Sequence, residues 1–155
     1  MKFSTALACL ATTTATIRAA PSPHMCNTQV AIGDLVPEFG VVPGTDRDVI
    51  QTGSCSGFNG KERIPIPCSC PPGRDEFVAR LEAALLVGNV FGDPISFSSD
   101  ASDQSVDTNR ARATASVILL QSFNGKKGDG CPVAAAPNLM TMQVTGVRSD
   151  KIFVG

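Results

Sequence analysis

The chain has 155 residues and a formal net charge of −1, with 13 Lys and Arg against 14 Asp and Glu. That near-balance excludes the basic footprint of a nucleic-acid binder or of a protein held on an anionic membrane. Tyr and Trp are both absent, which removes the side chains most used to stack on sugars and bases and to anchor interfaces.

Residues 1–19 read as a secretory signal peptide. Lys2 is a short positive start, Phe3 to Ile17 is a weakly apolar run, and cleavage is expected near Ala19 and Ala20. A mitochondrial presequence competes, but a single arginine (Arg18) after the apolar run and many cysteines downstream argue against it. Cleavage takes Lys2 and Arg18, leaving 11 basic residues against 14 acidic ones and a formal charge of −3. About 135 residues remain, enough for one domain with a modest core. No later stretch approaches the ~18 consecutive apolar residues of a membrane span, and no hydrophobic tail suits a lipid anchor. The expected product is secreted, soluble and extracellular.

Of six cysteines, Cys9 falls in the signal, leaving Cys26, Cys55, Cys68, Cys70 and Cys131. Five is odd, so one is unpaired, intermolecular or lost with a processed N-terminus. Cys68 and Cys70 are too close in sequence to bridge comfortably to each other. If one helix leaves Cys70 and a second returns antiparallel, Cys131 arrives beside Cys70. The favoured pairing is therefore Cys70–Cys131 and Cys55–Cys68, with Cys26 left over. In the loop-entropy account the first contributes about 4 kcal/mol and the second about 3 kcal/mol. Zinc needs paired cysteines at wider spacing and usually histidine, so no metal is expected.

Residues 20–33 read as a flexible arm, and the chain stays loop-like to Pro67, broken by prolines and glycines. This arm is expected to wrap the helices, held by Cys55. Ile64-Pro65-Ile66-Pro67 should be extended, because each proline drives its predecessor out of the helical region. The Pro71-Pro72 step then opens a helix over about 72–87. Asp75 and Glu76 favour its first turn, Phe77, Leu81, Ala84 and Leu85 form its apolar face, and Gly88-Asn89 stops it.

Val90 to Phe97 is an extended connector. A second helix is predicted over about 101–123, with Asp100 as N-cap and Asp103 in the capping-box position. Val106, Ala113, Val117 and Leu120 line its core face, leaving Asp107, Arg110 and Arg112 to solvent. A strand over 115–121 is the competing reading, and Asn124-Gly125 ends the element. Beyond Cys131 the chain is apolar but poorly patterned, with a break at Pro137 and a loose tail over 143–155. The expected fold is mainly α: an antiparallel pair of core helices with a long disulfide-anchored N-terminal loop arm. A single stapled domain would span residues 34–142.

Four segments carry a resemblance: GSCSG, IPIPCSCPPGRDEFVARLEAALLVGNV, the Ser96 to Asp103 region, and LLQSFNGKKGDGCP. Together they resemble an uncharacterised family of small secreted proteins of filamentous, especially mushroom-forming, fungi. That family's pattern has CSCPPDR before a helix, an SFPTDDS-like cap, and LQNLNG with GVGCPAA closing it. Here Gly73 stands where an acidic residue is usual, and Ser122-Phe123 where Asn-Leu is usual. The resemblance covers roughly residues 34–142 and implies secretion, fungal origin and fold, without catalytic residues.

Direct candidates for chemistry fail in turn. Gly53-Ser54-Cys55-Ser56-Gly57 puts cysteine where a nucleophile elbow has serine. The one histidine, His24, lies in the arm, so a Ser or Cys nucleophile lacks its usual base. Gly57 to Lys61 is too short for a phosphate loop, and Asp100, Asp103 and Asp107 read as capping and solvated residues ahead of Ca²⁺ ligands. The expected protein is not an enzyme and takes no cofactor. It is an effector-like extracellular interaction protein at the cell surface or host interface. Its partner would be an extracellular protein or polysaccharide, and it is a monomer unless Cys26 pairs between chains. The alternatives are a cell-wall polysaccharide-binding module and a small carboxylate-dependent hydrolase. Phe58, Phe91 and Phe97, each in a loop among glycines and polar residues, are the candidate binding residues.

Overall fold

The computed structural model describes residues 31–153. The expected signal peptide, His24, Cys26 and most of the 20–33 arm lie outside the described residues. The chain first forms a one-turn helix, α1 (Ile32–Leu35), then a long loop to a hairpin of β1 (Cys55–Asn59) and β2 (Glu62–Ile66). Next come α2 (Arg74–Val87), a small hairpin of β3 (Asn89–Val90) and β4 (Asp93–Pro94), and α3 (Val106–Gln121). A 3-10 turn at Val133–Ala135 leads into α4 (Pro137–Thr145).

The mainly-α expectation is overturned: among the described residues four helices combine with two small antiparallel sheets. The first hairpin pairs Cys55 with Ile66 through Asn59 with Glu62, and Asn59-Gly60 turns the chain. Two prolines argue against a strand in a central sheet position. In a two-stranded sheet every strand is an edge, so Pro65 has no ladder bond to lose. Gly57 lets β1 press against the 3-10 turn, since a Cβ there would sit 2.7 Å from the carbonyl oxygen of Ala134.

Pro137 starts α4 where a break was expected, because a proline at the first helical position gives up an N–H that would be unpaired anyway. Gly146 closes α4 in the left-handed region, its N–H donating to Met142 O. The chief packing partner of α3 is α4, so an antiparallel pair of α2 and α3 is not the centre of the fold. The core joins Phe77 and Leu81 of α2, Val117 and Leu120 of α3, Leu139 of α4, and Val36, Phe39 and Ile66 from the N-terminal half. Phe77 lies edge-on to Phe39 at 5.0 Å and stacks on Phe123 at 6.2 Å.

Cys55 bridges Cys68 and Cys70 bridges Cys131, with Cα separations of 4.9 and 5.5 Å. The first bridge ties the entrance of the hairpin to its exit. The second fixes the start of α2 to the segment after α3.

The start of α3 differs from its expected position for a specific reason. Arg112 is 1% exposed, although that register was assigned to solvent. Its guanidinium donates to the backbone oxygens of Ser98, Asp100 and Asp103 and to Asn109 Oδ1. Residues 98–103 therefore wrap around a buried cation and cannot be helical. Asp100 accepts from Ser102, and Asp103 from Ser105 and Thr108. The helix begins three residues after Asp103, with Ser105 Oγ accepting from Thr108 N. Val106, assigned to the core face, is exposed.

The 143–155 tail was expected to be loose. Residues 143–145 complete α4, and the chain then returns across the N-terminal loop. Phe153 N donates to Gly40 O, Glu38 N to Asp150 Oδ1, and the Arg148 guanidinium to Asp34 O. Buried Asn138 receives both strands, its N–H donating to Phe39 O and its side-chain amide to Lys151 O. Phe153 covers Phe58 with ring centroids 5.2 Å apart.

Candidate interaction face

The far end of α2 carries more apolar surface than the core can take. Phe77 and Leu81 are buried and Ala84 and Leu85 pack at the core's edge, yet Leu86 is 91% and Val87 70% exposed. The run Ala83-Ala84-Leu85-Leu86-Val87 goes around the helix rather than along one stripe, so part of it must face outward. Beside it lies a groove of about 560 Å³ between α1, α2 and the connector, lined by Ile32, Leu85, Leu86 and Phe97 with Ser96 and Glu82 among its polar groups.

Gly88 ends α2 in the left-handed region, donating to Ala84 O. The chain at once forms the β3–β4 hairpin, whose tip is Phe91-Gly92. Both tip residues have positive φ, 48° and 91°. Two-residue hairpins of this kind favour Asn-Gly or Asp-Gly, because short polar side chains and glycine tolerate the left-handed region. A phenylalanine there is strained, and this one is 52% exposed. Strain of this kind persists where the surroundings impose it, and it clusters at binding sites.

The three phenylalanines singled out from sequence thus separate. Phe58 is buried in β1 under Phe153 and offers no surface to a partner. Phe97 is half-buried and lines the groove, and Phe91 is exposed on the adjoining hairpin. Ile32, Leu85, Leu86 and Val87 complete the face. An apolar run too wide for one helical stripe is the sequence signal that would have found them.

The polar surface is organised for structure. Arg74 donates to Gly33 O, Val36 O and Pro37 O and pairs with Glu38 at 2.8 Å, locking α1 onto α2. Arg80 donates to Phe123 O and lies 4.2 Å over the Phe123 ring. Hydrogen bonds from Ser102 hold the Asp100 carboxyl below the usual range, and those from Thr108 and Ser105 do the same for Asp103. The Arg148 hydrogen bond lowers Asp150. A glycosidase acid needs its carboxyl raised, so none of these three suits that role. Among the described residues no group of three His, Cys, Asp or Glu could hold a metal ion, and no helix is long and apolar enough to cross a membrane.

Comparison with protein-family models, curated proteins and solved structures finds no match.

Proposed function

We propose that this is a secreted, non-enzymatic interaction protein that binds an extracellular partner through the apolar face at the end of α2. The observation that carries this reading is Phe91, a strained and exposed phenyl beside exposed Leu86 and Val87. Exposed apolar clusters on a stapled scaffold mark contact sites, and aromatic anchors dominate contact energetics. Two disulfides support the extracellular assignment, since oxidising compartments are where such bridges persist. The signal-like residues 1–19 support it as well.

The test is affinity capture from culture filtrate and host extract with wild-type protein and with Phe91→Ala. A partner retained by the wild type should be lost on Phe91→Ala while the thermal unfolding midpoint stays within a few degrees, because the side chain is exposed. No turnover is expected on peptide, ester, glycan or phosphate panels. Turnover that survives repurification and disappears with one Asp or Glu substitution would overturn the reading.

Phe91 also favours a second reading, a wall-polysaccharide module, because an exposed phenyl can stack on a sugar face. Retention on chitin or β-glucan that depends on Phe91 would select it.

A further inference from the structure

We infer that the groove between α1, α2 and the connector receives a second copy of this chain, forming a two-fold dimer clamped by Cys26. The groove and a knob that could fill it lie on the same face. Leu86 projects at its rim, and Ile32, Leu85 and Phe97 line the hollow beside it. A face holding both knob and hollow is self-complementary about a two-fold axis: Leu86 enters the partner's groove while the partner's Leu86 enters this one. Glu82 is the one charged side chain among the groove's described lining residues, which suits an apolar occupant better than a charged peptide.

The course of the chain selects a second copy over other occupants. Ala31 lines the groove, so the 30 residues before it reach the fold at the groove's edge. Cys26 is five residues upstream of Ala31, within about 18 Å of it even when fully extended. Cys55, Cys68, Cys70 and Cys131 are consumed in two bridges. Once the signal and Cys9 are removed, Cys26 has no cysteine left to pair with in its own chain. The inference thus rests on the secretory reading above. A two-fold axis at the groove brings two Cys26 thiols within reach of each other.

The bond forms by exchange with a disulfide oxidant such as glutathione disulfide. One Cys26 thiolate attacks the oxidant and releases a glutathione thiolate. The partner's Cys26 thiolate then attacks the sulfur of that mixed disulfide and releases the second. Two thiols are oxidised, one disulfide is reduced, and the two protons pass to the two glutathiones. A groove filled by one leucine from each side is a small interface, and the covalent link raises its effective concentration into the millimolar range.

The experiment equilibrates the processed chain in glutathione redox buffer and reads covalent dimer by non-reducing electrophoresis and intact mass. The wild type should be mostly dimer and Cys26→Ser wholly monomer. Leu86→Lys should lower the dimer-to-monomer ratio about tenfold, as expected when binding no longer raises the local thiol concentration. Val42→Lys, an exposed apolar position on a different loop, should leave it unchanged. Matching circular dichroism verifies that the variants fold. Monomer carrying one alkylatable thiol, or equal dimer yield from Leu86→Lys and wild type, overturns the inference. If no dimer forms while Phe91-dependent capture persists, this inference falls alone. If the dimer forms and no other partner is captured, the extracellular-partner reading falls alone.

Discussion

Arg112 shows how one side chain reorganises its neighbourhood. Buried at 1% exposure, its guanidinium is the shared donor to three backbone carbonyls, and removal would strand those acceptors away from water. Arg112→Ala should destabilise by about 2–4 kcal/mol in urea unfolding, since each unsatisfied buried acceptor costs about 1–3 kcal/mol. A loss below about 0.5 kcal/mol would mean that the side chain is solvated after all. Arg112→Lys keeps the charge but not the planar fork, and should recover only part of the loss. Acid should weaken the same region. Asp100, Asp103 and Asp150 have carboxyls lowered in the fold, so their contribution is complete above the unfolded value of about 3.9 and is lost as pH falls through the lower folded values. The unfolding midpoint should be flat from neutral pH to about 5 and decline below about 4, with a shallower decline in Asp150→Asn. Nothing in the local sequence announced Arg112 as buried. Its register reads as polar, and the carbonyls that receive it come from a loop nine to fourteen residues upstream.

At the scale of elements, periodicity was legible where packing is one-sided. The α2 positions Phe77 and Leu81 and the α3 positions Val117 and Leu120 lie in the core as their 3.6-residue spacing implies. Leu81→Ala should lower stability by about 2–4 kcal/mol and Val117→Ala by about 1–3 kcal/mol, through lost burial and the cavity left behind. The first hairpin was not legible, because Pro65 and Pro67 count against strands in general and only the two-stranded context makes one harmless. The helix α4 was hidden by Pro137, which can end a helix or begin one; the buried Leu139 and Met142 that follow decide for a beginning. The close approach of β1 to the 3-10 turn gives a further test. Gly57→Ala should cost about 1–3 kcal/mol by overpacking against Ile66 and Ala134, measured in the same urea series. Phe91 and Phe97 were found in the sequence by their loop setting, whereas Leu86 and Val87 looked like ordinary core residues of an amphipathic helix. Distinguishing them needs the position of α1 and of the connector, which sequence spacing does not supply.

For the whole molecule, the two disulfides and the returning C-terminal segment divide the work. Cys55–Cys68 staples a local hairpin, Cys70–Cys131 closes a 61-residue separation, and residues 147–153 fasten the end of the chain to its beginning. Phe153→Ala should destabilise by about 1–3 kcal/mol and uncover Phe58, readable as increased binding of a hydrophobic dye. The contacts of Asp150 with Glu38 and of Arg148 with Asp34 span 112 and 114 positions. They are the last that a growing polypeptide can make. A nascent chain emerges from its N-terminus, so the loop over 34–41 must wait, uncovered, until nearly every residue has been synthesised. Closure of this fold is therefore an event of chain termination, and a chain still being threaded through a membrane channel would remain pliable until its final residues arrive.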